Sequence, residues 1–217
     1  MGSINIARDN EYYTQRNNPV SRASTCQVTS EINILTASRI PFDCPAGMQP
    51  EEHLRRLTEE PDVKEKLARE FPRMAHLPPR EVHDILAWVV NEKLCKRKVT
   101  MFSMRVDLRE ILFRLVRYWC GSLVSGKFTP DGHVVGVIGF ETITPQNVLD
   151  ATENPGAIDL SSVTGITIRD SWGDWNTGYT DTNGANVFIA YQDFIDLTRV
   201  YGSTVKWAHL FDRDGKF

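Results

Sequence analysis

Two side chains in this sequence have the type and local setting for nucleophilic chemistry: Cys26 and His133. Before Cys26, residues 17–25 are polar and turn-prone. After it, Val28, Ile32 and Leu35 recur at spacings of four and three, the pattern of a helix face turned to a core. Ser24 or Thr25 is placed to cap that helix with its hydroxyl, so Cys26 falls at the helix N-terminus. Partial positive charge there favours thiolate over thiol, and the thiolate is the nucleophile. The alternative for Cys26 taken alone is a small buried hydrophobe, because free cysteine is among the most buried residue types.

A nucleophilic cysteine needs a base within hydrogen-bond reach, and the base needs a third group to hold its tautomer. Of five histidines, His53, His76 and His83 lie in a polar helical stretch and read as surface residues, and His209 lies close to the end of the chain. His133 differs. It follows Asp131–Gly132 and opens the apolar run HVVGVIGF, so a strand would hold it rigid at the edge of a cleft. By itself, a histidine in that position is more often a capping or core residue.

The elements that must position these residues change character along the chain. Helices are expected over residues 51–57, from Pro61, over 80–96 and over 107–119. Residues 71–79, with three prolines, read as irregular. From Gly121 on, SLVSGKF, HVVGVIGF, GITIRD and ANVFIAY are short β-branched runs between turn residues. A short helix over 192–201 and a last strand over 205–211 follow. Helices first and strands afterwards indicate an α+β fold. The expectation is one domain over 1–217: a helical half (1–120) carrying the nucleophile, packed on a mostly antiparallel, barrel-like sheet (121–217), with a cleft between them.

Composition limits the function classes. Hydrophobic residues make up 41% and charged residues 24%, as in ordinary globular proteins. Residues 50–118 carry 15 Lys+Arg against 12 Asp+Glu, and residues 119–217 carry 6 against 12. That interleaved surplus is not the unmixed basic stripe that binds phosphates, so nucleic acid is not expected as a partner. Cys26, Cys44, Cys95 and Cys120 lack CxxC spacing, and no metal or cofactor is expected. The acidic loops at 181–186 and 212–215 lack the twelfth-position ligand of a calcium loop and read as tight turns. With no apolar leader or spanning run, the expectation is synthesis in the cytoplasm without a signal peptide and no transmembrane segment.

GHVVGVIGF resembles the histidine strand of papain-like cysteine peptidases, and IRDSWGDWNTGY resembles their Asn-Ser-Trp-Gly…Trp…Gly-Tyr segment, with Asp170 in place of the asparagine. QRNNPVSRASTCQVTS is closer to the peptidase C39-like branch, in which a Gln precedes a Thr-Cys-x-x-Thr-Ser run and the third member is an aspartate. The resemblance implies a papain-like fold with Cys26 as nucleophile, His133 as general base and then acid, and Asp170 orienting the imidazole. It further implies that Gln15 donates its amide to the oxyanion beside the Cys26 backbone N–H. Trp172 would shield the His–Asp pair. The 142–164 excursion is expected to rim the cleft, and residues 42–118, which match nothing in the family pattern, are expected to set substrate choice.

The function implied is a cysteine peptidase or amidohydrolase working through a thioester acyl-enzyme. A peptide or peptidoglycan substrate is expected, cut by an enzyme of the phage-lysin or bacterial endopeptidase type released to act on the cell wall. A protein-directed protease, a transglutaminase-like acyltransferase using the same triad, and a binding module retaining an inactive shell are the alternatives.

Overall fold

The computed structural model describes residues 1–7, 12–20, 22–150, 152, 154–198 and 204–212. Its centre is helix α1 (Cys26–Ala37), which is buried on nearly every side and packs across three strands, β3 (Ser122–Gly126), β4 (His133–Thr142) and β5 (Val163–Arg169). Val28, Ile32 and Leu35 are fully buried, as their spacing requires. Thr29, Ser30, Glu31 and Asn33 are fully buried too, which the apolar spacing did not disclose. Buried polar groups must find partners, so each becomes a pin to another part of the chain.

The sheet is antiparallel in every pairing. Its order is β2 (Thr100–Asp107), β7 (Val205–Asp212), β3, β4, β5 and β6 (Val187–Ala190), with β1 (Gly2–Asn5) beside the second half of β4. This α+β sheet is open, which corrects the expectation of a barrel-like one. The end strands β2 and β6 do not pair with each other, and closure requires that they do. Both β1 and β2 come from the stretch that reads as helical. β2 alternates apolar and polar residues from Phe102 to Asp107, but it is an edge strand that runs straight into the helical apolar spacing beginning at Leu108, which hides it.

The remaining helices are α2 (Pro50–Thr58), α3 (Pro61–Glu70), α4 (His83–Val89), α5 (Leu108–Tyr118), α6 (Pro145–Asp150) and α7 (Tyr191–Leu197). The single helix expected over 80–96 is divided: α4 is preceded by a 3-10 turn (Pro79–Glu81) and runs on as a π turn (Val90–Leu94). The end of the helix expected over 192–201, and most of the loop at 212–215, lie outside the described residues. Among the described residues, no helix is long and apolar enough to cross a membrane.

Antiparallel pairing of β4 with β5 decides where chemistry can occur. Gly136 pairs with Arg169, so the start of β4 and the end of β5 leave the sheet together, carrying His133 and Asp170. The 142–164 excursion leaves from the other end of β4, about 30 Å away at roughly 3.3 Å per residue. There α6 packs on β1, so the excursion does not rim the cleft.

Candidate active site

Cys26 begins α1, with Thr25 at the N-cap position. The expected cap is absent, since the Thr25 hydroxyl accepts no helix amide. Instead it accepts from Asn18 Nδ2 at 2.7 Å, and the same amide group reaches Thr29 Oγ1 at 3.2 Å. First-turn amides are thereby left to the sulfur, and the backbone N–H groups of Gln27 and Val134 face Cys26. Ser30 Oγ donates to the Val134 carbonyl at 2.8 Å, fixing β4 beside α1 immediately after His133.

The structure brings Cys26, His133 and Asp170 together. His133 Nε2 lies 2.8 Å from Asp170 Oδ1. The imidazole also hydrogen-bonds Cys26, and with Nε2 engaged the sulfur faces Nδ1. Burial alone would raise the Cys26 thiol. The His133 hydrogen bond and charge, with the two amides, outweigh it and hold the thiol below its ordinary value. Burial likewise works to lower His133, but Asp170 and Cys26 overcome it and push the imidazole up to about 9. Both shifts favour a thiolate–imidazolium pair.

Asp170 is fully buried and held on each side. Its Oδ1 also accepts the Trp172 N–H at 2.9 Å, and the Tyr179 hydroxyl lies 3.2 Å from Oδ2 and 3.0 Å from the Phe128 carbonyl. Trp172 lines the cavity, half-buried, with the Arg16 guanidinium 4.6 Å above its ring. Arg16 also donates to the carbonyls of Trp172 and Tyr179. One arginine thus ties the loop after Asp170 to the turn that carries Gln15.

Gln15 is 2% exposed, which excludes a solvated loop residue. It opens a 3-10 turn (Gln15–Asn17) capped by Thr14. Its Nε2 donates to the Arg22 carbonyl at 2.7 Å, and its Oε1 accepts from Ser171 Oγ at 2.6 Å. Because a carbonyl only accepts, this network fixes which end of the amide is nitrogen. One N–H of Nε2 remains, on a side chain that lines the same cavity as Cys26 and His133. Upstream, Asn33 binds both the N–H and the carbonyl of Tyr13 at 2.8 Å, holding the approach to Gln15.

The cavity measures about 280 Å³ and is walled by the Gln15 turn, Ala23, the β3–β4 loop at residues 129–132, Trp172 and Tyr179. Among the described residues, none from 42–118 lines it, contrary to the expectation that this stretch sets substrate choice. Nor does any group of three His, Cys, Asp or Glu residues there stand ready to hold a metal.

Two histidines read as peripheral are not. His83 Nδ1 lies 2.6 Å from His209 Nε2 and 3.0 Å from Gln27 Nε2, and His209 Nδ1 lies 3.2 Å from Glu31 Oε2. His209 is 2% exposed and Glu31 fully buried. Burial pushes both imidazoles down to about 4, with the neighbouring His209 adding to the effect at His83, and it raises the Glu31 carboxyl. A run of buried polar side chains therefore links α4 through β7 to the middle of α1. Local sequence carries no signal for this chain, since its members lie up to 178 residues apart.

No family model, curated protein or solved structure matches this chain.

Proposed function

We propose that the protein is a cysteine hydrolase that cleaves peptide or related amide bonds through a thioester. The observation that carries the reading is the buried line from Cys26 through His133 to Asp170, with His133 Nε2 at 2.8 Å from the carboxylate. Thiolate attack on the substrate carbonyl forms the C–S bond and places negative charge on the carbonyl oxygen. The free N–H of Gln15 and the Cys26 backbone N–H stabilise that charge. Imidazolium gives its proton to the leaving amine as the C–N bond breaks. Water then attacks the thioester, His133 takes its proton, and the C–S bond breaks to release the carboxylic acid and restore the thiolate–imidazolium pair.

Peptide segments of peptidoglycan are the substrate put forward, on the C39-like resemblance of the Gln15 and Cys26 region. Purified peptidoglycan and a denatured protein mixture, digested in parallel by the wild type and Cys26→Ala, test both parts. New termini only with wild-type enzyme support a hydrolase, and their presence in one digest or the other assigns the substrate. No Cys26-dependent termini in either would refute the reading.

A further inference from the structure

Among the described residues that line the cavity, Asp131 is the one charged side chain outside the Cys26–His133 pair. It occupies the turn Thr129-Pro130-Asp131-Gly132 within the β3–β4 loop, two residues before His133. That turn is rigid. Gly132 N–H donates to the Thr129 carbonyl at 3.0 Å, Thr129 Oγ1 donates to the Gly132 carbonyl at 2.8 Å, and Pro130 limits the backbone at its first central position. Gly132 itself has φ +85°, where a side chain would be strained. Asp131 is exposed to solvent. Arg16, which does not line the cavity, donates to two carbonyls and lies over the face of Trp172.

A thiolate–imidazolium pair sums to zero charge, so among the described lining residues Asp131 supplies the remaining charge, which is negative. A carboxylate carried on a hydrogen-bonded turn at the cleft offers an opposite charge a partner in a defined place, and aromatic walls are compatible with a bound cation. We infer that Asp131 is a specificity-determining residue that selects peptides bearing a cationic side chain of the lysine type beside the scissile carbonyl. The inference rests on the hydrolase reading and names the substrate class of that same cleft.

Two measurements test it. The first needs no turnover. Cys26 in the wild type and in Asp131→Asn is modified with neutral methyl, cationic aminoethyl and anionic sulfonatoethyl methanethiosulfonate. Each charged rate is divided by the neutral rate in the same variant. The cation-to-anion ratio should fall roughly threefold to tenfold in Asp131→Asn, the doubled effect of one charge roughly 6–12 Å away in a solvated cleft. In Asp193→Asn, an exposed α7 control of the same charge change, the ratio should stay at the wild-type value. The second compares N-acetylated peptide libraries differing only in lysine or norleucine at each position. Wild-type kcat/KM should favour lysine next to the cleaved bond, and Asp131→Asn should remove that preference.

A ratio unchanged by Asp131→Asn, or a lysine preference that survives it, overturns the inference while leaving the hydrolase intact. Failure of the hydrolase reading appears separately, as a Cys26 no more reactive than the other thiols toward the neutral reagent, and the charge ratio can be read at whatever rate Cys26 reacts.

Discussion

Ser171 Oγ donates to Gln15 Oε1 at 2.6 Å, one residue after the Asp170 that holds His133. The residue proposed to bind the oxyanion and the residue proposed to orient the base are therefore set by a single loop. Gln15→Ala should lower kcat about 10²–10³-fold, the usual cost of losing one oxyanion donor, with KM and Cys26 alkylation little changed. Ser171→Ala, which frees the amide to turn but keeps it, should lose less in kcat and also spare KM. Steady-state kinetics with alkylation of the same preparations check both.

Asp170→Asn should retain more activity than Asp170→Ala. An asparagine oxygen can still accept from His133 Nε2 and from the Trp172 N–H, while its Nδ2 can donate to the Tyr179 hydroxyl, which in turn donates to the Phe128 carbonyl. The negative charge is lost, however, so His133 should fall from about 9 and the thiol should rise. The pH–rate profile should narrow from both sides in Asp170→Asn, with its alkaline limb moving to lower pH. An unshifted alkaline limb would remove Asp170 from the pair.

Acid should destabilise the fold through a group outside the catalytic line. His209 has a folded value of about 4 against an ordinary 6.5, so the unfolded chain binds more protons between those limits. Its contribution is fully present above pH 6.5 and is lost as pH falls toward 4. The difference, 6.5 minus about 4, corresponds to roughly 3 kcal/mol at about 1.4 kcal/mol per unit. Denaturant midpoints should drop over pH 6.5–4.5 in the wild type and be flatter in His209→Gln.

The site was legible where its signals are local. Cys26 stands where polar turn residues give way to an apolar 3–4 spacing, and His133 opens an apolar run. Neighbouring antiparallel strands then carry His133 and Asp170 to one end of the sheet without further instruction. The pins were not legible. Ser30 to Val134, Asn33 to Tyr13 and Glu31 to His209 join polar residues that look solvated until the helix bearing them is found buried on all sides. The open sheet was hidden for a similar reason: β2 follows from its pairing with β7, and its own short alternation runs directly into the helical spacing that begins at Leu108.

The central claim is that Cys26 is a thiolate held by His133, and thiol-by-thiol alkylation tests it most directly. Cys44 is raised by burial with a push from Glu51, and burial, with Glu31 adding to it, pushes Cys95 up to about 12. At pH 6 neither therefore offers appreciable thiolate. Iodoacetamide at pH 6, followed by peptide mapping, should label Cys26 at least tenfold faster than Cys44, and His133→Ala should abolish the advantage. Cys26 labelling no faster than Cys44, or an advantage that survives His133→Ala, would contradict the account.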